Sequence, residues 1–420
     1  MSREERAESL LGPFRVLDLT DEKGFLCGKV LGDLGADVIK IERPGGDPAR
    51  RIGPFWHDIP HSEKSLYWFA FNMNKRSITL DIETADGREV FKKLVQGADF
   101  VIESFDPGHM DGIGLGYDVL SQLNPRIIMT SITPFGQTGP YAHYKASDIA
   151  LMAMSGFMYI VGEPDRPPVR ISFPQAYFHG GVEAALGSMT AHHYRQKSGE
   201  GQHVDVSIRD AVIITTDNIQ MYWDVQKLIV RRGGGGFIRP ESGALQVTQR
   251  KCKDGYICFL VMGGPLGADV TEAMCQWMDE EGMLPDSFKG IKWAELGWDM
   301  ASTEIYVRVS EAIDDFILKY TKMEILEEGV KRRIMIYPTN TSKDIYENPQ
   351  LKTREFWVGV EHPELGETLT YPGAFVKASE TPWKMWRRAP LIGEHNEEIY
   401  VGELGLSKEE LIRLKEASII

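Results

Sequence analysis

The segment from Phe14 to Pro48, FRVLDLTDEKGFLCGKVLGDLGADVIKIERPGGDP, constrains the fold more than any other part of the chain. Val16, Leu17 and Leu19 form a short apolar run. Leu26, Val30, Leu31 and Leu34 then recur at helical spacing, and Val38, Ile39 and Ile41 form a second run. Two strand-like runs around one amphipathic helix predict a β-α-β unit, which begins a parallel sheet buried on both faces. The unit closes on Glu42-Arg43-Pro44-Gly45-Gly46, where a charge pair and a turn signal leave the sheet together. Open α/β sheets bind ligands outside the carboxyl ends of their strands, so chemistry is expected at this edge.

The same pattern continues. Arg126 to Ile132 and His203 to Ile208 are strand-like, and Ile149 to Phe157 and Gly180 to Tyr194 read as helices between them. The fold class expected is α/β, with a Rossmann-like large domain over residues 1–210. At Arg231-Arg232-Gly233-Gly234-Gly235-Gly236 the chain changes character, and short strands such as Gly255 to Leu260 follow a Lys253-Asp254 turn. Residues 211–237 are therefore read as a linker, 238–345 as a smaller α+β domain and 346–382 as a return linker. Ser407 with Glu410 is a capping-box pattern that opens a last helix to Glu416.

Composition excludes several classes. The chain has 420 residues, 42% hydrophobic and 26% charged, which suits a large soluble enzyme with a substantial core. A net charge of -14 argues against nucleic acid or an anionic membrane surface as partner. Cys27, Cys252, Cys258 and Cys275 lack the close paired spacing of zinc sites and suggest no disulfide framework, so no metal and a reduced cytoplasm are expected. No apolar stretch reaches the roughly 20 residues of a membrane helix, and MSREERAES does not read as a secretory signal. His192, His193 and the tryptophans read as packing features, and His395 as a structural turn residue.

Five ordered blocks carry a resemblance across nearly the whole chain: LGDLGADVIKIERPGGDPAR, NMNKRSITLDI, FGQTGPYA, SGEGQHVDVS and APLIGEHNEEIYVGELG. Together they resemble the class III CoA-transferases of the CaiB/BaiF type, a family that also includes α-methylacyl-CoA racemases. The resemblance implies CoA and acyl-CoA as substrates with no tightly bound cofactor. It also implies a large domain completed by residues 383–420 and two interlocked subunits. Transferases of the family use an aspartate at a helix start, which attacks the acyl-CoA thioester to give a mixed anhydride and then an aspartyl-CoA thioester. Counting back from Ser198-Gly199-Glu200-Gly201-Gln202 places that position on Tyr177, or on Ala176 with the helix shifted by one. Neither is a carboxylate, and a phenol with an ordinary pKa near ~10 is a poor substitute. The nearest acids, Asp165 and Glu183, are displaced from it.

Two further departures stand beside this one. Racemases of the family carry a histidine directly before an aspartate, and here Ser147 precedes Asp148, a residue that reads as a helix cap or structural hydrogen bonder. The segment resembling E-N-F-R-P-G-x-x-x-R-L-G has Asp106 and Gly112 at its two basic positions, which weakens phosphate binding there. Arg43, Asn74, Lys75 and Arg76 match positions that bind the nucleotide part of CoA in the family.

The reading these features favour is a subunit of a heteromeric CoA-transferase. It lacks the nucleophile and is interlocked with a paralogous aspartate-bearing subunit, as in the heteromeric members that move CoA from succinyl-CoA to (R)-benzylsuccinate. Two alternatives stay open. One is a self-sufficient homodimeric transferase using Glu183, Asp165 or a bound carboxylate, and the other is a non-catalytic protein that binds CoA esters.

Overall fold

The opening segment folds as β1 (Arg15–Leu19), α1 (Phe25–Asp33) and β2 (Asp37–Glu42). The computed structural model describes residues 9–420, apart from 266, 298, 299, 374, 384, 386 and the side chain at 217. Four more strands extend the sheet: β3 (Lys75–Thr79), β4 (Phe100–Glu103), β5 (Ile128–Thr133) and β6 (His203–Ser207). All pairings are parallel, in the order β3-β2-β1-β4-β5-β6. The order reverses between β1 and β4, and that switch point opens a crevice at the carboxyl edge.

Helices cover both faces. Leu17, Ile39 and Ile78 of the strands pack with Phe91, Leu94 and Val95 of α3 (Ala85–Gln96). The C-terminal segment joins the same core through Ile399, Tyr400, Leu411, Leu414 and Ile420. Its final helix, Lys408–Glu416, is opened by a capping box in which Ser407 accepts from the Glu410 amide and Glu410 accepts from the Ser407 amide. Further along come α2 (Leu66–Phe71), α4 (His109–Gly112), α5 (Tyr117–Leu123), α6 (Asp148–Met154), α7 (Ala176–Ser198) and α8 (Ile208–Ile214). In α7 a narrow face of Gly180, Gly181, Ala184, Ala185 and Ser188 is buried. A Cβ added at Gly181 would lie 2.9 Å from the Leu26 side chain of α1, and one at Gly180 would lie 2.7 Å from Ile208 of α8. Glycine at these positions is what lets three helices close over one end of the sheet.

The chain divides into two units. The first holds the residues up to Ser155 together with Ser172–Thr215 and Lys352–Ile420, and the second holds Gly156–Ile171 and Thr216–Leu351. The second has its own core, in which Trp277, Trp293, Val309 and Phe316 pack with Ile257 and Phe259. Gly255–Phe259 is the central strand of an antiparallel sheet, flanked by Gln249–Cys252 and Ile336–Thr339.

Three sequence expectations differ from this division. Residues 156–171 belong with the second unit. The glycine run is the turn of an antiparallel pair, Arg232–Gly233 with Gly236–Ile238. A Cβ at Gly236 would fall 2.2 Å from the Gln246 carbonyl oxygen, so the glycines there serve close backbone approach. The segment 346–382, expected as a linker, contains a hairpin of Trp357–His362 with Glu367–Pro372, where alternating Val360 and Tyr371 supply a buried face. Among the described residues, no helix is long and apolar enough to cross a membrane, and no group of three His, Cys, Asp or Glu side chains is arranged to hold a metal.

Candidate functional site

At the switch point β1 runs into Thr20-Asp21-Glu22, and β4 runs into Ser104-Phe105-Asp106. The two strand ends are clasped together. The Asp21 amide donates to Ser104 Oγ at 2.9 Å, and Ser104 Oγ donates back to Asp21 Oδ1 at 2.8 Å. The start of α7 brings Tyr177 to the same edge, and Asp148 fixes that start by accepting from the Ala176 amide at 2.8 Å. Asp148 thus caps α7 from α6, which satisfies one of the orphan amides of a 23-residue helix and sets a negative charge at its positive end. The structural reading of Asp148 accounts for its position.

The environment of Tyr177 keeps it a phenol. Burial, followed by the nearby Glu22, pushes its pKa up to about 12. Burial and Glu22 also raise Tyr67, on α2, well above the ordinary tyrosine range. Glu22 is itself raised by burial and then by Asp21. A phenol that holds its proton at neutral pH offers no ready nucleophile for a thioester. Glu183 lies further along α7, half-buried, in the wall of a separate open cavity of about 520 Å³ with Gly136, Tyr141 and Arg209. Asp165 is exposed and belongs to the second unit.

Beside the switch point lies a cavity of about 200 Å³, walled by Glu103, Asp106, Asp111, Asp118, Ser131 and His203 among others. Asp106 and Gly112 occupy the two positions expected to be basic, and Lys145 stands 3.4 Å from the exposed Asp106 carboxylate. Glu103 is buried and accepts from the Phe105 amide at 2.7 Å. Burial pushes its pKa up to about 7, against the opposing hydrogen bonds from Ser131 and Phe105. This predicts a pH dependence of stability. The folded chain holds the Glu103 proton more tightly than the unfolded chain, whose value is near 4.5. The stabilisation is therefore complete below pH 4.5 and is lost as pH rises through about 7. The difference is roughly 3 kcal/mol, and Glu103→Gln should flatten that part of the profile in denaturation measured from pH 4.5 to 8.

The four residues expected to hold the nucleotide part of CoA are not equivalent. Lys75 is 0% exposed, and its Nζ donates to Asp18 Oδ2 at 2.8 Å, Asn72 Oδ1 at 3.0 Å and the Phe25 carbonyl at 3.1 Å. Arg76 is buried and donates to Asp37 at 2.6 Å and 2.9 Å and to Glu398 at 2.8 Å. Asn74 donates to Asp33 Oδ1 at 2.8 Å and accepts from the Arg387 amide at 3.2 Å. These three side chains are committed inside the protein, because a buried cation or amide needs its partners from the fold itself. Only Arg43 is open to solvent, 67% exposed, with Glu83 at 3.5 Å. His395 is also internal: its Nδ1 accepts from the Ser77 amide at 3.1 Å, and burial followed by Arg387 pulls its pKa down to about 4.

Sequence reasoning missed Asp21, Glu22 and Tyr67 as members of the site. Asp21 and Glu22 directly follow the first strand, so their place at the edge was available from the sequence, whereas Tyr67 arrives from a helix whose packing no local pattern announces.

Comparison with known proteins agrees with this architecture. The profile of CoA-transferase family III matches residues 11–396. The succinyl-CoA:(R)-benzylsuccinate CoA-transferase subunit BbsE of Thauera aromatica is 39% identical, over 92% of this chain and 93% of that protein. The succinyl-CoA–L-malate CoA-transferase beta subunit of Chloroflexus aurantiacus is 30% identical, over 94% of each. Among solved structures, a CaiB/BaiF family protein from Brucella suis superposes with a TM-score of 0.80 at 29% identity, covering 94% of this chain and 99% of that one. A profile match over almost the whole chain, on a sheet of the same fold, places it: the chain belongs to CoA-transferase family III, the CaiB/BaiF family.

Proposed function

We propose that this chain is the nucleophile-free subunit of a heteromeric family III CoA-transferase, and that an aspartate-bearing paralogue supplies the covalent chemistry. The observation that carries the reading is Tyr177 at the start of α7, a phenol pushed up to about 12, where the family's attacking aspartate is expected. A transferase of this type needs a carboxylate to displace CoA from the thioester and to leave again from an anhydride, and no residue at the start of α7 can do either. The acidic wall of the neighbouring cavity supports the same reading, since Asp106, Asp111 and Asp118 oppose a bound polyphosphate.

The partner is a second family III chain, interlocked with this one. Two relatives are themselves described as subunits, one of a succinyl-CoA:(R)-benzylsuccinate transferase and one of a succinyl-CoA–L-malate transferase. The substrates proposed are accordingly succinyl-CoA as donor and (R)-benzylsuccinate as acceptor. The test is reconstitution: the purified chain alone is expected to leave the thioester unexchanged, and the same chain with its paralogue to exchange it. Exchange by the homogeneous chain would remove the proposal.

Residual nucleotide binding by this chain rests on Arg43. Its guanidinium is expected to give one charge-assisted phosphate contact, worth roughly 1.5 to 3 kcal/mol. Calorimetry with CoA should show Arg43→Ala weakening binding by about 10-fold to 150-fold, while Asp106→Arg strengthens it by removing a repulsion. Equal affinities for wild type and Arg43→Ala would mean that Arg43 does not hold the nucleotide.

A further inference from the structure

A row of four aromatic rings runs outward from the core to solvent beside Tyr177, entirely within the first unit. On α2, Tyr67 and Phe71 lie one turn apart, with ring centroids at 4.9 Å. Phe71 stacks on Phe178 of α7 at 5.0 Å, with planes 30° from parallel. Phe178 stacks in turn on Phe173, in the segment that leads into α7, at 5.8 Å and 27°. Burial falls along the row. Tyr67 is 7% exposed, Phe71 and Phe178 are half-buried, and Phe173 is 49% exposed. Aromatic rings prefer offset stacking at centroid distances of about 4.5 to 7 Å, and the last ring of this row has solvent where a further ring would continue it.

We propose that the open end of this row, at the start of α7, is a non-covalent binding site for the aromatic ring of an aryl-substituted carboxylic acid. The inference rests on the reading of this chain as a subunit without a nucleophile, because the site holds an acid that the chain cannot activate. Phe173 and Phe178 supply the stacking surface. Phe178 directly follows Tyr177, so a phenol lies at the residue next to that surface, and an O–H is a donor that suits a carboxyl oxygen.

The charges around the site decide what it recognises. Glu22, Asp21 and Asp148 are close enough to act on both Tyr67 and Tyr177. These carboxylates repel the acid groups of a ligand, so stacking on the ring has to supply the selectivity. The ligand class is therefore set by the aryl group: an acid with the same carboxylates and no ring is a poor ligand, which separates this site from one that recognises succinate itself.

The experiment is calorimetry on the full chain with (R)-benzylsuccinate and with methylsuccinate, which carries the same two carboxylates without the ring. (R)-Benzylsuccinate is expected to bind more tightly by about 10-fold, the scale of one well-stacked aromatic pair. Phe173→Leu, at an exposed position, and Phe178→Leu should each reduce that ratio to about 3-fold or less and leave methylsuccinate unchanged. Equal affinities for the two acids, no binding of either, or a ratio unchanged in either variant would overturn the site. Thioester exchange is not part of this measurement, so loss of the ring preference leaves the assignment of the nucleophile to the paralogue standing. Exchange by the chain alone would remove that assignment and leave the ring preference intact.

Discussion

Lys75→Ala should destabilise the first unit by about 3–5 kcal/mol, because the side chain is buried away from solvent in an ion pair. Lys75 and Asp18 are both 0% exposed and meet at 2.8 Å. Burial would raise Asp18, but Lys75 and then Lys40 outweigh it and hold the carboxyl below its usual range. Burial pulls Lys75 down, with Asp18 opposing the shift. Its three acceptors are those of an ammonium, so the pair is ionised. Removing the lysine leaves Asp18 with Lys40 at 4.0 Å and without its direct partner, which is the costly half of a broken buried pair. The melting temperature of the unit should fall by roughly 10 °C. Asp18→Asn combined with Lys75→Met should recover part of the loss, because two neutral groups carry no unpaired charge. A loss below about 1 kcal/mol would mean that Lys75 reaches solvent and is available to a phosphate after all.

This residue also marks where the sequence stops being informative. Asn74-Lys75-Arg76 reads identically whether its charges face a nucleotide or the protein interior. Which one applies is decided by Asp18, Asp33 and Asp37, carboxylates on or beside β1, α1 and β2 that only the parallel pairing brings alongside. Periodicity located the strands because Val16, Leu17, Val38 and Ile39 are apolar for a reason visible locally, burial on both faces of a parallel sheet. The same argument missed the hairpin at 357–372, whose strands bury only a few side chains such as Val360 and Tyr371 and carry polar residues between them. At the site, motif counting pointed to Tyr177 or Ala176, neither a carboxylate, at the start of α7. The upward shift of the Tyr177 phenol by burial and then Glu22 was not legible there, since it depends on tertiary packing.

The largest effect expected is on the covalent step. The chain alone should exchange thioesters slower than the reconstituted complex by about 10⁴-fold or more, the scale of removing a nucleophile from an otherwise complete site. Tyr177→Asp should not restore it. Asp106 and Gly112 would still stand where positive charge is expected, and an aspartate placed beside Glu22 would be pushed toward its neutral form by burial and like charge.

The most direct measurement is therefore capture of the intermediate. During turnover of the complex with succinyl-CoA, hydroxylamine or borohydride should trap the covalent adduct, and mass spectrometry of the digested subunits should locate it. The expected result is a label on an aspartate of the paralogous subunit and none on peptides covering Ser172 to Gly187 of this chain, a window that holds Tyr177 and Glu183. An adduct on Tyr177 or Glu183 would contradict the assignment of this chain as the subunit without a nucleophile.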